Sequence, residues 1–344
     1  MTIQWFPGHM HKARKEIAKV ISQIDVVIEV LDARLPRSSE NPLVGELRGS
    51  KPVIKVLNKS DLADAGRTRK WIKHLTTDTT HAMPLRMDQK QELQQLITLC
   101  KKTAPGRVSA DRPVRVMIMG IPNVGKSTLI NALMGRKIAK VGNEPAVTKN
   151  QQRFVTHNGL AVFDTPGILW PKILDEDASY RLAASGAIRD TVVEYEDIAL
   201  YSLGLLIRDY PEQLLQRFKL AELPASADDA LDEIGRRRGC LKSGGVINRP
   251  KAGEIVIGDL RSGLIGRISF ETVGEWTEKD RLAALAVEQL RLQALEERQL
   301  KLDAKRQYDE QQKTRWLDGT DQLADPGDGA ADMGPTDEGA IEDQ

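Results

Sequence analysis

The chain has 344 residues, 40% of them hydrophobic, and its 50 Lys and Arg nearly balance its 49 Asp and Glu. This length and composition predict about two folded domains and exclude a wholly disordered chain. The two cysteines, Cys100 and Cys240, are too few for a disulfide framework or a four-cysteine zinc site, and no apolar run is long enough to span a membrane.

The charge is unevenly distributed along the chain. No Lys or Arg follows residue 317, and this last stretch carries nine acids: Asp318, Asp321, Asp325, Asp328, Asp332, Asp337, Glu338, Glu342 and Asp343. The rest of the chain therefore has 50 basic residues against 40 acids, a net charge of +10. A basic body favours a polyanionic partner such as nucleic acid, whereas the acidic tail is expected to be disordered.

The N-terminal residues lack the basic flank and apolar core of a signal peptide. Free cysteine thiols also suit a reducing compartment. We therefore expect a cytoplasmic protein that does not enter a membrane.

Helices and strands are predicted to alternate over the first hundred residues. Residues 9–24 have apolar side chains at helical spacing, and the run DVVIEVLDARLP after them is typical of a buried strand that stops at Pro36. The elements that follow are predicted to be a strand over Val53–Leu57, a helix over residues 66–75, a strand over Ala82–Leu85, a helix over residues 89–102 and a linker over Ala104–Pro113.

The alternation continues after the linker. PVRVMIMG is predicted to be a strand, STLINALMG a helix closed by Gly135, and Phe154–Thr156 with Leu160–Phe163 a hairpin around Asn158-Gly159. This pattern predicts an α/β fold in which a mostly parallel sheet has helices on both faces. From about residue 177 to residue 275 the pattern is mainly helical, and residues 279–316 are predicted to form a charged helix.

The segment Gly120-Ile121-Pro122-Asn123-Val124-Gly125-Lys126-Ser127 matches the phosphate-binding pattern GxxxxGK[ST] between a predicted strand and a predicted helix. Backbone N–H groups of such a loop, together with the helix N-terminus, hold phosphate oxygens. We expect Lys126 to reach the β- and γ-phosphates during catalysis and the Ser127 hydroxyl to bind Mg²⁺. The predicted nucleotide contacts of this segment are Asn123, Val124, Gly125, Lys126, Ser127 and Thr128.

The segment Asn58-Lys59-Ser60-Asp61 follows the predicted strand Val53–Leu57 and indicates which base is bound. The carboxylate of Asp61 can accept hydrogen bonds from the ring N–H and the exocyclic amine of guanine, a donor pair that adenine lacks. Asn58 would fix the loop and Lys59 would lie over the ring. Alone, such a tetrapeptide can also be a helix-capping turn, but after a buried strand and beside a phosphate loop it predicts GTP.

The segment Asp164-Thr165-Pro166-Gly167 follows the strand Leu160–Phe163 and matches the DxxG of a nucleotide switch. Asp164 would hold Mg²⁺ through water, and the N–H of Gly167 would sense the γ-phosphate. Thr148 is the candidate for the catalytic switch threonine that closes over Mg²⁺ and the γ-phosphate. Thr156 is the alternative, although it lies in a predicted strand.

The order of these motifs is unusual. An ordinary GTPase domain carries the phosphate loop first and NKxD last, whereas here NKxD comes first and the cyclic order is kept. The sequence therefore predicts a circularly permuted P-loop GTPase domain followed by a smaller, mainly helical domain. The predicted divisions are the GTPase domain at 1–176, a helical RNA-binding domain at 177–276, a charged helical extension at 277–317 and the acidic tail at 318–344.

The sequence resembles the bacterial ribosome biogenesis GTPase A family over roughly residues 3–275. The most specific elements are the opening QWFPGHM, the permuted motif order and the closing IGRRRGCLKSGGVINRPKAGEIVIGDLRSGLIGRISFE. The resemblance implies GTP hydrolysis as a switch in late assembly of the large ribosomal subunit, stimulated by that particle. The implied partners are the subunit precursor and its rRNA, without membrane or DNA, and we expect a monomer. An RNA-modifying GTPase and a nucleotide-dependent RNA-binding module with little turnover remain alternatives.

The resemblance also implies roles for individual residues. His9 matches the family's candidate for orienting the attacking water, since Ile168 stands where many GTPases have glutamine, although a lone N-terminal histidine can also be a surface residue. Asn123 resembles the asparagine of potassium-stimulated GTPases, which adds K⁺ to Mg²⁺ as an expected cofactor, although on geometry alone it could equally be an asparagine that stabilises the turn. Arg86 and Met87 stand where a base-contacting Ser-Ala pair is expected, so a contact there would come from the backbone.

Basic residues are interleaved with glycines near the end of the helical domain. Guanidinium groups grip phosphates, and the scarcity of aromatic residues argues against base stacking. Such a run can also be a solvated face, but with the basic body and the resemblance it predicts rRNA binding. The predicted RNA-binding residues are Arg236, Arg237, Arg238, Lys242 and Arg261, with Arg249, Lys251 and Arg267 nearby in the sequence.

Overall fold

The computed structural model describes residues 9–107, 112–137, 152–165, 175–188 and 194–283, together with 285 and 289, and in the first helix it describes side chains from residue 15. Residues Met1–Glu278 form one compact unit and Lys279–Gln344 a second. The domain boundary predicted at residue 176 falls inside the first unit and stays a prediction, as do the boundaries at 276 and 317. The acidic tail lies outside the described residues.

A six-stranded sheet forms the centre of the first unit. Its strands are β1 (Val26–Asp32), β2 (Val53–Asn58), β3 (Thr80–Leu85), β4 (Val114–Met119), β5 (Gln152–Val155) and β6 (Leu160–Asp164). They lie in the order β3-β2-β1-β4-β6-β5, and all neighbours are parallel except the β5–β6 hairpin. Ligands of such sheets bind at the carboxyl ends of the strands. The segments that follow β1, β2, β4 and β6 therefore meet at one edge.

Helices connect the strands and then continue alone. The named helices are α1 (His9–Val20), α2 (Pro42–Arg48), α3 (Ala65–Leu75), α4 (Lys90–Thr103), α5 (Lys126–Met134), α6 (Glu176–Ser185), α7 (Tyr195–Asp209), α8 (Pro211–Phe218), α9 (Ala227–Arg237) and α10 (Arg249–Ser262). This layout confirms the predicted α/β fold with a mainly helical part after it. Within the described ranges, none of the helices has the length and apolar character needed to cross a membrane.

Local signals in the sequence set several helix ends. Side-chain oxygens of Asp64, Asp175 and Ser226 accept hydrogen bonds from backbone N–H groups at the starts of α3, α6 and α9. As predicted, α5 ends at Gly135, whose backbone is left-handed.

The strands bury both faces of the sheet. Val30 belongs to the large apolar cluster, whereas the next residue along β1, Leu31, packs with Leu57 against Trp71 and Leu75 of α3 on the other side. Successive side chains of a strand point to opposite faces. The apolar runs of β1 and β2 therefore reflect burial on two sides, as the sequence predicted.

Candidate nucleotide-binding site

The loop that follows β4 lies very close to its neighbours at two glycines. A Cβ at Gly120 (φ +147°) would lie 2.5 Å from the carbonyl oxygen of Val30 on the adjacent strand. A Cβ at Gly125 (φ +104°) would lie 2.3 Å from Nδ2 of Asn58. Both positions combine a positive φ with a close approach that only glycine permits. The glycines of the predicted phosphate loop are therefore required by its surroundings.

Lys126, the first residue of α5, is 7% exposed. Its Nζ donates to the carbonyl oxygen of Ile121 at 2.7 Å, so the side chain folds back over the phosphate loop. Burial lowers the pKa of the amine to about 8, and the negative charge of Asp164 opposes this shift only in part. An ammonium group in this position can meet the phosphates that the loop backbone would hold.

The lowered pKa of Lys126 predicts that nucleotide binding takes up a proton in mildly alkaline solution. At about pH 8.5 the amine of the free protein is mostly neutral, whereas nearby phosphates favour its charged form. At about pH 6.5 the amine is already charged, so its uptake should be near zero. Calorimetry of GDP binding in two buffers of different ionisation enthalpy measures the uptake. The Lys126→Met variant should lack the part of the proton uptake that comes from the lysine. Equal proton uptake by the variant and the unaltered chain would contradict the attribution of this uptake to Lys126.

Asn58 joins the predicted base-binding loop (residues 58–61) to the phosphate loop (residues 120–127). It is the last residue of β2, and its buried Nδ2 donates to the carbonyl oxygen of Val124 at 2.7 Å. Only β1 lies between β2 and β4 in the sheet. The two motifs that the permuted order separates along the chain are therefore in direct contact.

Two residues that sequence reasoning did not assign, Asp32 and Arg34, hold the base-binding loop from the end of β1. Nζ of Lys59 (φ +57°) donates to Asp32 at 2.9 Å, and the Arg34 guanidinium donates to the same carboxylate at 2.8 and 3.0 Å. Burial raises the pKa of Asp32, but Arg34 and Lys59 outweigh it and hold that pKa well below its usual range. The available signal was a charged pair, Asp-Ala-Arg, directly after an apolar strand.

The turn that carries Asp61 also contacts the end of β3. Asp61 itself is exposed, and the hydroxyl of Ser60 donates to the carbonyl oxygen of Leu85 at 3.2 Å. Met87 reaches toward the phosphate loop, with its Cε 3.9 Å from the place of a Cβ on Gly125. The segment predicted to line the base therefore lies beside the base-binding loop.

Arg86 makes its contacts with Glu92 of α4. Its Nε donates to Glu92 at 3.1 Å, and its backbone N–H donates to the same carboxylate at 2.6 Å. Base contact by Arg86 and Met87 stays a prediction.

The oxygen donors predicted for Mg²⁺ lie on β6, which pairs with β4, and on α5. Asp164 is buried at the end of β6, and its charge acts on Lys126. Ser127 is half-buried in the first turn of α5. Carboxylate and hydroxyl oxygens are ligands that Mg²⁺ prefers beside nucleotide phosphates. The residues present therefore fit a magnesium–nucleotide complex, with Ser127 and Asp164 as the candidate ligands.

The predicted switch residues are described only in part. Thr156 is buried, and its hydroxyl accepts from the N–H of Leu160 at 3.0 Å, so it belongs to the β5–β6 turn. Thr148 and Gly167 lie outside the described residues. His9 begins α1, and its side chain lies outside the described side chains.

Asn123 connects the phosphate loop to the helical part. Its backbone is left-handed (φ +56°), and its Nδ2 donates to the carbonyl oxygen of Gly186 at 2.8 Å, just beyond the end of α6. The guanidinium of Arg261 donates to the carbonyl oxygens of Ala183 and Ala184 at 2.9 and 3.0 Å. Arg261 is thus half-buried beside the site, and its predicted contact with RNA stays a prediction.

The other predicted RNA-binding residues lie at the end of α9 and in the loop after it. Arg236 and Arg237 both pair with Glu233, and the Arg236 side chain is 59% exposed. Arg238 lies 3.6 Å from a carboxylate oxygen of Asp259. Lys242 is exposed.

These features define the class of protein. A sheet with NKxD after β2 and a phosphate loop after β4, joined by the Asn58–Val124 hydrogen bond, is a circularly permuted P-loop GTPase fold. The sequence pattern of the family described as "50S ribosome-binding GTPase" matches residues 115–220.

Similar proteins identify the family. Ribosome biogenesis GTPase A of Priestia megaterium is 43% identical over 283 residues, which cover 80% of this chain and 98% of the relative. The protein of that name from Thermotoga maritima is 32% identical over 273 residues, covering 78% of this chain and 94% of the relative. The GNP-bound structure of YlqF from T. maritima has a TM-score of 0.54 and 29% identity, covering 76% of this chain and 98% of that one. The chain belongs to the ribosome biogenesis GTPase A family, and its substrate is GTP.

Proposed function

We propose that this GTPase binds pre-ribosomal RNA and hydrolyses GTP as a switch in late assembly of the large ribosomal subunit, which stimulates turnover. The observation that carries the proposal is the contact between the base-binding and phosphate loops in a chain whose relatives are named ribosome biogenesis GTPases. The net charge of +10 before the acidic tail supports an RNA partner. We place the protein in the cytoplasm as a monomer.

The proposed nucleotide contacts follow from the positions of the loops. Asp61 would accept from the guanine edge, while Asn58 holds the two loops together and Asp32 orients Lys59 beside the ring. Lys126 and the backbone of residues 123–128 would hold the phosphates. Bound Mg²⁺ would neutralise charge on the β- and γ-phosphates, with Ser127, Asp164 and Thr148 as its protein partners.

Three further roles are proposed on the resemblance. His9 would orient the attacking water, because Ile168 has no hydrogen-bonding group. Asn123 would hold K⁺ against the phosphates, and its amide is already oriented by the hydrogen bond to Gly186. Gly167 would report the γ-phosphate to the switch.

The proposed RNA surface is the basic end of α9 with the loop after it. Arg236 and Arg237 share one carboxylate, that of Glu233, so phosphates can compete for exposed guanidinium groups. Lys242 lies in the exposed loop, and Arg261 would couple this surface to the end of α6. Sequence-specific contacts are not required, because structured RNA can be read by shape and phosphate.

The switch would act through the short connection from β6 to α6. A single connecting segment leads from Asp164, a candidate Mg²⁺ ligand at the end of β6, to Glu176, the first residue of α6. Ordering of Thr148 and Gly167 by the γ-phosphate would thus bias the helical part toward the bound particle, and hydrolysis would release it. Reversing a 1:99 population in this way needs about 5.5 kcal/mol of discrimination.

Co-sedimentation with large ribosomal subunits tests the proposed function. With a non-hydrolysable GTP analogue we expect up to about 100-fold tighter association than with GDP, because apparent affinity scales with the fraction of the competent conformation. Replacing Arg236–Arg238 with alanine should weaken association in both states. A matched control replaces three exposed basic residues of α3, Arg69, Lys70 and Lys73, and should have no effect. Equal sedimentation in the two nucleotide states would contradict the switch.

A further inference from the structure

The segment Arg267–Glu271, which we call the strap, follows α10. It lies against the loop after β1 and the base-binding turn after β2, both at the nucleotide edge of the sheet. Each of its five residues donates or accepts a hydrogen bond with those loops or with the start of α3. More than 200 residues separate the strap from these two loops in sequence, as in the bond between Arg267 and Asp61. The strap is therefore a tertiary element that local sequence patterns do not predict.

The first half of the strap binds the backbone around Asp61. Nε of Arg267 donates to the carbonyl oxygen of Asp61 at 3.0 Å, and its Nη2 lies 3.5 Å from that of Ser60. The N–H of Ile268 donates to the carbonyl oxygen of Leu62 at 3.0 Å. Three consecutive carbonyl groups of the base-binding turn thus have their partners in the strap, and they flank the carboxylate proposed to read guanine.

Ser269 fixes the exit of the same turn. Its buried hydroxyl accepts from the N–H of Asp64 at 3.1 Å, and its carbonyl oxygen accepts from the guanidinium of Arg67 at 2.8 Å. Asp64 in turn caps α3 through the N–H of Arg67 at 2.8 Å. The base-binding turn is therefore held at its start, its middle and its end.

The second half of the strap anchors it to the loop after β1. The N–H of Phe270 donates to the carbonyl oxygen of Arg34 at 2.7 Å. The fully buried carboxylate of Glu271 accepts from the N–H groups of Arg37 and Ser38 at 2.8 and 3.0 Å, and lies 3.5 Å from the guanidinium of Arg181 on α6. This anchor is buried and hydrogen-bonded on several sides, so it can impose a position on the exposed turn beside it.

We propose that the strap positions the guanine-reading turn, and that Arg267 and Ser269 set base affinity and selectivity through Asp61 without touching the nucleotide. The inference rests on the proposed function, because it assumes that Asp61 reads the base. It goes further by assigning part of guanine selectivity to residues that follow the helical part. A bound guanine would in return stabilise the strap and the end of α10.

Arg267→Ala is the first test, since this side chain is exposed and its loss should leave the fold intact. Removing one to two hydrogen bonds should weaken GDP binding about 3- to 10-fold. Inosine nucleotides lack the exocyclic amine and make only one of the two contacts with Asp61. The preference for GTP over ITP should therefore fall about 2- to 5-fold, whereas kcat at saturating GTP should be unchanged.

Matched variants separate positioning from general damage. Arg267→Lys should recover part of the selectivity, because one donor remains. Arg208→Ala removes another arginine, 68% exposed in its side chain, that makes no hydrogen bond to the turn, and should bind GDP and ITP like the unaltered chain. A fall in affinity for GTP and ITP by the same factor would show a merely structural role and overturn the proposal.

Asp61→Asn distinguishes the failure of this inference from failure of the proposed function. If Asp61→Asn transfers preference to xanthosine triphosphate while Arg267→Ala and Ser269→Ala leave the GTP-to-ITP ratio unchanged, the strap proposal is wrong and the base reader stands. If Asp61→Asn leaves GTP binding unchanged, both the base reader and the strap proposal are wrong.

Discussion

Replacing Lys126 with methionine should lower kcat for GTP hydrolysis about 10²- to 10³-fold, as loss of a single preorganised charge donor does in other active sites. The ammonium lies folded over the phosphate loop, with Asp164 as the nearby opposite charge. Methionine keeps the length of the side chain but offers no charge to the β- and γ-phosphates. Single-turnover hydrolysis with a saturating amount of protein measures the effect without interference from weaker binding.

The same variant should fold at least as well as the unaltered chain without nucleotide. Burial disfavours the charged amine, which is why its pKa falls, so an apolar side chain removes that cost. Lys102→Ala, an exposed lysine on α4, is the control and should leave turnover unchanged. Near-normal single-turnover rates in Lys126→Met would show that the phosphates lie elsewhere.

Replacing Asp61 with asparagine should weaken GTP binding about 10²- to 10⁴-fold, since two charge-assisted hydrogen bonds to guanine are lost. The amide of asparagine offers a donor where the carboxylate offered only acceptors. Xanthine presents an acceptor in place of the exocyclic amine, so the variant should prefer xanthosine triphosphate. Competition between the two nucleotides in an equilibrium binding assay measures the exchange of preference.

Asp78→Asn supplies the control for this exchange. Asp78 is exposed before β3, at the opposite edge of the sheet from the nucleotide-binding loops, and its substitution should leave base preference unchanged. A preference for GTP that survives in Asp61→Asn would remove the base-reading role from the turn after β2.

The sheet could be predicted because its signals are local. β1 and β2 are apolar runs whose two faces are both buried, and Asn158-Gly159 marks the hairpin that joins β5 and β6. The two nucleotide-binding motifs could be predicted because nucleotide binding requires particular residue types at fixed spacing, whatever the rest of the fold. The Asn58–Val124 contact brings the two motifs together, although β1 lies between β2 and β4 in the sheet.

The parts that could not be predicted depend on distant partners. The pairing of Asp32 with Lys59 joins the end of β1 to the turn after β2, and the charges alone did not reveal which partner each would take. Arg261 and Arg267 looked like members of one basic surface, yet they donate to backbone carbonyls of α6 and of the base-binding turn. Arginine count predicts an affinity for polyanions, but only the fold shows which guanidinium groups are already engaged.

The central claim is that the turn after β2 and the loop after β4 bind opposite ends of one nucleotide. A crystal structure of the chain with GDP and Mg²⁺ tests it most directly. We expect the guanine edge within hydrogen-bonding distance of the Asp61 carboxylate while the β-phosphate rests on the backbone at Gly125 and Lys126. A nucleotide whose phosphates occupy that loop while its base points away from Asp61 would contradict the account.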